Sequence, residues 1–326
     1  MIKVIVIGLG SMGKRRLRIL SEKPNLEIFG VDSNKERCVA VNKEFGIQCY
    51  NSLDEVFGSQ NIDCAFVSTS PLSHATIINQ CLKQGAHVFT ELNLVKDGYE
   101  ENMKLAEEKG LVLFLSSTSL YKKEITAIKE RINKSKSRLD YIYHIGQYLP
   151  DWHPWESYKD YFIGDKRTNG CREILAIDLP FIVSCFGKIK NWSVLKSKNT
   201  ALNIDYNDNF MMLFEHEGGA KGTVTIDVVC RKAVRKMEVF GEDLYVSWDG
   251  TPDSLKEYDI ENKEEKIIPL ENASEHVEGY ASFITENPYR EEVNEFFEQI
   301  NDRSFKPAWS FEKDLEILRL VDELEK

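Results

Sequence analysis

Hydrophobic residues in the first third of the chain alternate between short β-branched runs and longer stretches that repeat at helical spacing. The short runs predict strands at residues 2–7, 27–31, 63–69, 87–91 and 112–117. The longer stretches predict helices at residues 12–21, 34–45, 72–84 and 98–109. Because strands that alternate with helices form right-handed crossovers, we predict an α/β domain with a doubly wound, mostly parallel sheet.

The pattern changes after about residue 136, where strand-like segments follow one another with few helices between them. Strands are predicted at residues 138–148, 192–196, 209–215, 220–229, 236–240 and 244–248, and one helix at 173–186. An irregular stretch rich in Trp, Tyr and Pro covers residues 149–169, and two amphipathic helices close the chain. The second half is therefore predicted to be an α+β domain with a mostly antiparallel sheet.

Composition limits the classes of function. The chain has 326 residues, of which 42% are hydrophobic and 29% charged, so two domains with their own cores are expected. A net charge of −11 opposes binding to nucleic acid, whose phosphates would repel it. No apolar run reaches the roughly 18 residues that span a bilayer. The chain opens directly as a strand rather than a signal peptide, so we expect a cytoplasmic protein with no membrane partner.

The seven cysteines are scattered along the chain and are never spaced as CxxC. This usage is typical of reduced thiols rather than of a disulfide framework. The spacing of the cysteines predicts no metal site.

A glycine-rich motif, Gly8-Leu9-Gly10-Ser11-Met12-Gly13, directly follows the first predicted strand. In a GxGxxG motif the first glycine allows a tight turn, the second lets the backbone approach a pyrophosphate, and the third lets the helix pack against the strand. The second strand ends at Asp32, whose carboxylate suits the ribose hydroxyls of NAD and repels the 2′-phosphate of NADP. We predict a Rossmann domain that prefers NAD, with NADP as the alternative because Ser33 and Arg37 lie near Asp32. The other interpretation is a tight turn followed by a helix-capping aspartate.

Three stretches together resemble the Gfo/Idh/MocA family, which includes glucose–fructose oxidoreductase and inositol dehydrogenase. They are GLGSMG from residue 8, STSPLSH at 68–74 and GAHVFTE at 85–91. The family reads roughly T-P-x-x-x-H and G-K-H-V-x-x-E-K-P at the second and third places. The resemblance spans nearly the whole chain, and it implies a Rossmann domain followed by an open-faced sheet domain. It also implies a homodimer or homotetramer formed through that sheet, and a sugar, polyol or related small molecule as substrate.

The motif and the resemblance together suggest where the cofactor and the substrate bind. They divide the chain into an NAD(P)-binding domain, residues 1–120, and a substrate-binding and oligomerisation domain, residues 121–326. The residues expected at the cofactor are Gly8, Leu9, Gly10, Ser11, Met12, Gly13, Asp32, Ser33, Thr69, Ser70, His74, Glu91 and Asn93.

Two positions depart from the family. Where the family has E-K-P, with a lysine that reaches the reacting oxygen, this chain has Glu91-Leu92-Asn93, and leucine cannot donate a proton. Many members carry a catalytic histidine on the helix that enters the cleft, and counting back from Gly187 places Ile177 there. The usual lysine and histidine mechanism therefore cannot be transferred to this chain.

Two segments offer replacements for the missing acid or base. On the predicted helix, Asp178 lies among apolar residues, so its carboxylate should be partnered or shifted in pKa, as general acid–base catalysis requires. Glu173 lies five residues earlier, about 140° away around the helix, and is a candidate to bind the substrate. The loop at 147–159 resembles a W-x-P-x-x-D-Y-R-like segment of family members from surface-sugar pathways. In that loop His153 is the second candidate for proton transfer.

Further substrate-binding candidates lie in the same two segments and at the start of the second domain. Trp152 and Trp155 are candidates to stack on a sugar ring, and Lys159 or Arg172 to hold a carboxylate or phosphate. Tyr121 and Tyr158 are candidates to line the pocket. The alternative is an aromatic loop packed on its own domain, with His153 as a turn residue.

Two functional hypotheses follow. The first is an NAD(H)-dependent oxidoreductase that transfers hydride to or from a sugar, sugar nucleotide or sugar acid. The second is a non-catalytic dinucleotide-binding protein, a sensor or assembly partner, in which Leu92 and Ile177 mark lost chemistry. The dense polar and aromatic loop at 147–159 favours the enzyme.

Overall fold

The computed structural model describes residues 1–153, 156–270 and 285–326. The chain divides into two compact units. The first comprises Met1–Ser117 and Tyr289–Arg319, and the second comprises Thr118–Pro288 and Leu320–Lys326.

The first unit is built on a parallel sheet of six strands. They are β1 (Ile2–Ile7), β2 (Leu26–Val31), β3 (Gln48–Tyr50), β4 (Cys64–Val67), β5 (His87–Thr90) and β6 (Leu113–Leu115). The order across the sheet is β3-β2-β1-β4-β5-β6, and every neighbouring pair is parallel. This is the order of a doubly wound Rossmann sheet, so the predicted fold class is confirmed.

The helices alternate with the strands in the first unit and become sparse in the second. In the described residues they are α1 (Ser11–Ser21), α2 (Lys35–Phe45), α3 (Leu53–Ser59), α4 (Pro71–Lys83), α5 (Tyr99–Lys109), α6 (Lys123–Lys134), α7 (Gly170–Phe186), α8 (Asn287–Asn301) and α9 (Phe311–Glu325). None of these described helices is long and apolar enough to cross a membrane. The short pair β3 and α3 was not predicted, because neither element carries a full period of apolar residues.

Helix α8 packs on the parallel sheet of the first unit. Its Phe296 is fully buried and meets Phe66 of β4 edge-on, with ring centroids 5.2 Å apart. Phe89 and Phe114, from β5 and β6, stack on each other at 5.2 Å and also contact Phe296. The sequence placed all of residues 121–326 in the second domain, but the structure groups residues 289–319 with the first unit. The reason is this aromatic core, which α8 completes.

The second unit contains an eight-stranded sheet. Its strands are β7 (Asp140–Gly146), β8 (Ile189–Ser197), β9 (Asn209–His216), β10 (Lys221–Asp227), β11 (Val234–Phe240), β12 (Tyr245–Trp248), β13 (Lys256–Asp259) and β14 (Glu264–Ile267). Their order is β14-β13-β12-β11-β7-β10-β9-β8. Among the described strands of this sheet only β7 and β10 pair in parallel, so the predicted mostly antiparallel sheet is confirmed.

One face of this second sheet is buried and the other is exposed. Phe210, Met212 and Phe214 of β9 are nearly inaccessible, whereas the alternate residues Met211 and Leu213 are more than half exposed. Helix α7 covers the buried face, where Phe181 meets Tyr143 of β7 edge-on at 5.4 Å. Alternation of period two therefore sets which side chains meet α7 and which face solvent.

Candidate functional site

The loop between β1 and α1 has the geometry that the glycine motif predicts. Gly8 has a φ of +88°, and a Cβ there would lie 2.6 Å from the carbonyl oxygen of Ser68. A Cβ on Gly13 would lie 1.8 Å from the carbonyl oxygen of Gly8, so a side chain would push α1 off the strand. A Cβ on Gly10 would meet no atom within 4 Å, and this is the open side from which a pyrophosphate can approach. Ser11 and Met12 form the first turn of α1, where helix N–H groups and the helix dipole favour an anion.

Asp32 ties the end of β2 to the glycine loop. Its Oδ2 accepts the backbone N–H of Leu9 at 2.8 Å, and its Oδ1 accepts the N–H of Asn34 at 2.8 Å. Each oxygen retains a second lone pair for a ribose hydroxyl. The exposed Arg37 places its Nη1 3.7 Å from Oδ2 of Asp32, and Ser33 is also exposed. The end of β2 thus carries both a carboxylate, Asp32, that suits NAD and a nearby cation, Arg37, that suits the 2′-phosphate of NADP.

His74 and Asn93 form a buried pair beside the ends of β4 and β5. The Nδ1 atom of His74 lies 2.7 Å from the side-chain oxygen of Asn93, and its Nε2 lies 3.0 Å from the carbonyl oxygen of Thr69. Burial lowers the pKa of His74, although both hydrogen bonds act to raise it. The pair fixes the loop that leads to Ser70, the residue preceding the first residue of α4. His74 thus holds the segment at Thr69 and Ser70 in place.

Glu91, expected at the cofactor, instead binds an arginine in the core. Its two carboxylate oxygens accept hydrogen bonds from Nε and Nη2 of Arg16, at 2.6 and 2.9 Å. The same Nη2 lies 3.0 Å from Oε2 of Glu292 on α8, and Ser116 donates to the other oxygen of Glu292 at 2.9 Å. Burial raises the pKa of Glu292, whereas Arg16 acts to lower it. The sequence analysis did not predict this network. The one hint in the sequence was the spacing of Arg16, which lies four residues after Met12 and four before Leu20 and so shares their side of α1.

Asp178, the first candidate acid or base, is partnered and fully buried. Its Oδ2 accepts the hydroxyl of Tyr143 at 3.0 Å, and its Oδ1 accepts Nη1 of Arg235 at 2.8 Å. Burial acts to lower the pKa of Arg235, but Asp178 and Tyr143 raise it overall, so the guanidinium stays charged. The Arg235 side chain is 23% exposed, whereas that of Asp178 is 0% exposed. In this arrangement Arg235, not Asp178, is the member that solvent reaches.

Glu173 lies one and a half turns earlier on α7, on a different side of the helix. Its Oε2 atom is buried and has no hydrogen-bond partner among the described residues. Burial raises the pKa of Glu173 to about 7. The hydroxyl of Tyr161 is likewise buried without a described partner, and after burial the charge of Glu173 is the next cause that raises the pKa of Tyr161. A carboxyl group with a pKa near neutrality can both take and give a proton at physiological pH.

The loop at 147–159 is folded back on its own unit over the residues that the structure describes. The indole Nε1 of Trp152 donates to the carbonyl oxygen of Gln147 at 3.0 Å. His153 stacks on Tyr161 with ring centroids 4.6 Å apart, and its Nδ1 lies 2.8 Å from Glu156. The His153 side chain is 40% exposed, so it is accessible to a substrate. Trp155 lies outside the described residues.

The other residues predicted to bind the substrate differ in their exposure and in their partners. The Tyr158 hydroxyl accepts the backbone N–H of Asn203 at 3.3 Å, and Lys159 is exposed with its ammonium 5.9 Å from the Tyr158 ring centroid. Tyr121 is buried in a short 3-10 helix. Arg172 is also buried, and it forms ion pairs with Asp322, at 2.6 Å, and with Glu325. Its guanidinium is therefore committed to α9, and the expectation that it holds a substrate anion is not supported by this geometry.

Lys122 is a candidate that the sequence did not single out. It directly precedes α6 in the second unit. Burial, followed by repulsion from Arg235, lowers the pKa of the Lys122 amine to about 8, while Glu124 and Asp178 act to raise it. Lysine near a second cation is a known way to obtain a titratable amine near neutral pH. No local pattern points to Lys122, because Arg235 is more than a hundred residues away in the sequence.

The two family positions that lack acid–base groups remain apolar in the structure. Leu92 follows β5 and is partly exposed. Ile177 lies within α7, where its carbonyl oxygen accepts the hydroxyl of Ser119 at 2.9 Å. Neither side chain can carry a proton.

Comparison with curated proteins finds a partial match. Biliverdin reductase A from Homo sapiens is 30% identical over 135 residues, which are 40% of this chain and 44% of that protein. The chain therefore spans less than half the length of the curated relative it matches.

Comparison with solved structures finds the same fold over almost the whole chain. Levoglucosan dehydrogenase, in complex with NADH and L-sorbose, has a TM-score of 0.81 at 14% identity and covers 100% of this chain and 96% of its own. UDP-N-acetylglucosamine 3-dehydrogenase from Acidithiobacillus ferrooxidans has a TM-score of 0.78 at 16% identity and covers 99% and 96%. At these identities the likeness concerns the fold.

The family model of the oxidoreductase family with an NAD-binding Rossmann fold, Gfo/Idh/MocA, matches residues 2–117. That range contains the glycine loop, Asp32 and the parallel sheet described above. Over residues 2–117, about a third of its length, the chain is therefore similar to the NAD-binding Rossmann domain of the Gfo/Idh/MocA oxidoreductases.

Proposed function

We propose that this protein is an NAD(P)-dependent oxidoreductase that prefers NAD and acts on a carbohydrate-derived small molecule. The observation that carries the proposal is the glycine loop, whose open side at Gly10 lies next to a helix N-terminus and whose position is fixed by Asp32. When bound, the nicotinamide accepts hydride from the substrate or delivers it. The protein has to orient the substrate and to move one proton.

The carbohydrate assignment is supported by the residues of the second unit. Aromatic rings with polar tips, such as Trp152 and Tyr158, suit the apolar faces and hydroxyl edges of a sugar. Arg235 is charged and partly exposed, so it replaces Arg172 as the candidate for an acidic or phosphate group on the substrate. Two proteins of the same fold, levoglucosan dehydrogenase and UDP-N-acetylglucosamine 3-dehydrogenase, act on sugars by their names.

Glu173 is the proton-transfer group that the geometry supports best. Its Oε2 has no described partner and its pKa is near 7, whereas the carboxylate of Asp178 has both oxygens occupied. Asp178 is better assigned as a positioning residue that holds Tyr143 and Arg235. His153 stays the second candidate, since it is exposed and hydrogen-bonded to Glu156.

A reductase for a linear tetrapyrrole is a second candidate function. It is favoured by the 30% identity over 135 residues to human biliverdin reductase A. A sensor that binds the dinucleotide without turnover is the third, and it is favoured by the apolar Leu92 and Ile177.

One assay separates these three functions. Purified protein is first titrated with NADH by fluorescence, and turnover is then followed at 340 nm with sugars, sugar acids, sugar nucleotides and biliverdin. The proposal expects NADH binding and turnover with a carbohydrate. Turnover with biliverdin alone would establish the second candidate, and tight NADH binding without turnover on any of them would favour the sensor.

We also propose that two copies associate through the open face of the second sheet. Leu195, Met211 and Leu213 are 75%, 53% and 59% exposed on this face, and Ile142 of β7 is 46% exposed on the same side. An apolar patch of this kind is a liability for a monomer, and pairing with a second copy would remove it from water. The proposal supports a homodimer or homotetramer.

A further inference from the structure

Three side chains of different donor chemistry converge at the C-terminal ends of the parallel strands β7 and β10. They are His144 on β7, Asp227 at the end of β10 and Cys230 just after it, and their ligand atoms all lie within 4.8 Å of one another. Nothing in the linear spacing predicts this cluster, because His144 and Asp227 are 83 residues apart. The parallel pairing of the two strands brings them together.

The backbone after β10 holds the carboxylate and the thiol in place. Oδ1 of Asp227 accepts the N–H groups of Val229 at 3.0 Å and of Cys230 at 2.8 Å. This turn folds Cys230 back toward the strand. Oδ2 of Asp227 is left to face Nε2 of His144 at 2.8 Å, and the Asp227 side chain is only 4% exposed.

Gly146 makes room for this carboxylate. It lies directly opposite Asp227 in the β7–β10 register, and a Cβ at this position would lie 2.4 Å from Oδ2. Any other residue would displace the carboxylate from His144. The cluster therefore depends on a glycine within a strand, which commonly marks a place of close approach.

We propose that His144 Nε2, Asp227 Oδ2 and Cys230 Sγ bind one divalent cation of the zinc class, with water as the fourth ligand. Mixed nitrogen, oxygen and sulfur donors suit Zn²⁺ and similar borderline ions, whereas Mg²⁺ and Ca²⁺ take oxygen ligands. Tetrahedral zinc with bonds of about 2.1 Å to nitrogen and oxygen separates these two donors by roughly 3.4 Å. Nε2 and Oδ2 need to part by only about half an ångström to reach that separation. His144 and Cys230 are both partly exposed, so the ion can enter from solvent.

Metal binding would exchange protons for the ion. The thiol of Cys230 would lose its proton to solvent and become a thiolate ligand. His144 would bind through Nε2 as the neutral imidazole that carries its proton on Nδ1. The ion would then join β7 to the segment after β10. We expect the ion to stabilise the second unit as a cross-link and not to take part in hydride transfer.

The test is a zinc titration of chelator-treated full-length protein, followed by calorimetry, with cobalt absorption as a second readout of a thiolate ligand. We expect one Zn²⁺ per chain and no competition from Mg²⁺. Cys230→Ser and His144→Gln should each weaken binding at least tenfold. Glutamine can keep the hydrogen bond to Asp227, so this variant should remain folded, as thermal unfolding will report.

Cys49→Ser is the matched control, because Cys49 is another partly exposed free thiol, in the first unit. It should bind zinc as the wild type does. The proposal is overturned if the wild type binds no Zn²⁺ at micromolar concentration. It is overturned equally if neither Cys230→Ser nor His144→Gln weakens binding, or if Cys49→Ser abolishes it.

Discussion

The guanidinium of Arg16 lies in the core of the first unit, with its Nε 2.6 Å from Oε1 of Glu91. Arg16 is fully buried on α1, the helix that begins at the glycine loop, and Glu91 follows β5. Glu292 on α8 lies 3.0 Å from Nη2 of the same arginine. One cation thus joins α1, the residue that follows β5, and α8, a helix from the far end of the sequence.

Replacing Arg16 should be strongly destabilising. Arg16→Met leaves Glu91 and Glu292 buried without their cation, and breaking a buried ion pair in this way costs about 3–5 kcal/mol. Urea unfolding measures the loss. Glu44→Gln is the control, because it removes an exposed pair, Lys14–Glu44 at 2.6 Å, that is worth roughly 0–1 kcal/mol. Similar losses in the two variants would contradict the assignment of Arg16 as a buried link.

The fold could be predicted from the sequence where periodicity was strong. The parallel strands follow from β-branched runs such as that of β1, and the antiparallel sheet follows from the alternation seen in β9. The place of α8 could not be predicted, because its apolar stripe fits either sheet equally well. Only the buried Phe296, in contact with Phe66, shows which sheet it covers.

The candidate site was predictable only in part, for a similar reason. Local motifs identified Gly8, Gly10, Gly13 and Asp32, since each role depends on neighbours close in sequence. The roles of the remaining side chains depend on partners that are distant in the sequence. Arg172 looked like an anion site, but helix α9 supplies Asp322 and Glu325 to neutralise it.

Asp32 should decide the choice between cofactors. Asp32→Asn keeps an oxygen for the N–H of Leu9 but removes the negative charge. NADH should therefore bind more weakly than to the wild type, and NADPH should bind more tightly, because the charge that repels its 2′-phosphate is gone. Arg37→Ala should do the opposite and weaken NADPH alone, because Arg37 is the cation nearest the expected 2′-phosphate. Fluorescence titration gives both dissociation constants for each variant. Equal affinity of the wild type for NADH and NADPH would refute the preference for NAD.

Asp314 should make the stability of the protein depend on pH. Burial raises its pKa to about 6, although hydrogen bonds from Tyr99 and Trp309 act to lower it. The unfolded chain loses this proton near pH 4 and the folded chain keeps it to about pH 6, so stability should fall as pH rises between these values. The fall should approach about 3 kcal/mol.

The measurement compares the wild type with Asp314→Asn by urea unfolding at pH 4, 5, 6 and 7. The variant cannot ionise at this position, so the difference between the two proteins should change up to about pH 6 and then level off. All other carboxyl groups are shared and cancel in the difference. A difference that stays constant from pH 4 to pH 7 would mean that the carboxyl group of Asp314 titrates normally.

The open face of the second sheet should control association. Leu213→Lys places a charge at the middle of the exposed apolar strand β9, so it should convert the oligomer to a monomer. Ile260→Lys is the control, since Ile260 is 49% exposed but lies in the turn after β13, outside this face. Light scattering at micromolar concentration measures the mass. A wild type that is strictly monomeric would end the proposal.

Glu173 should carry the proton in turnover. Glu173→Gln keeps the size of the side chain but cannot ionise, and loss of a general acid or base typically lowers the rate by about 10²–10⁴-fold. Binding of NADH, which uses the first unit, should be unchanged. Glu156→Gln is the matched control, because Glu156 is an exposed carboxylate that also interacts with Tyr161 but is hydrogen-bonded to His153. Glu156→Gln should retain most of the activity. A large loss of activity in His153→Gln would instead assign the proton transfer to the loop at 147–159.

The pH profile gives an independent check on Glu173. Substrate oxidation needs a base, so kcat/KM in that direction should rise with pH through the pKa of about 7 and then level off. Reduction needs an acid, so kcat/KM in the reverse direction should fall over the same range. In Glu173→Gln both inflections near pH 7 should vanish, because no other proposed group at this position titrates there. Inflections that survive in Glu173→Gln would move the assignment to His153 or to Lys122, whose pKa is about 8. The same pH profile measured in His153→Gln would decide between these two.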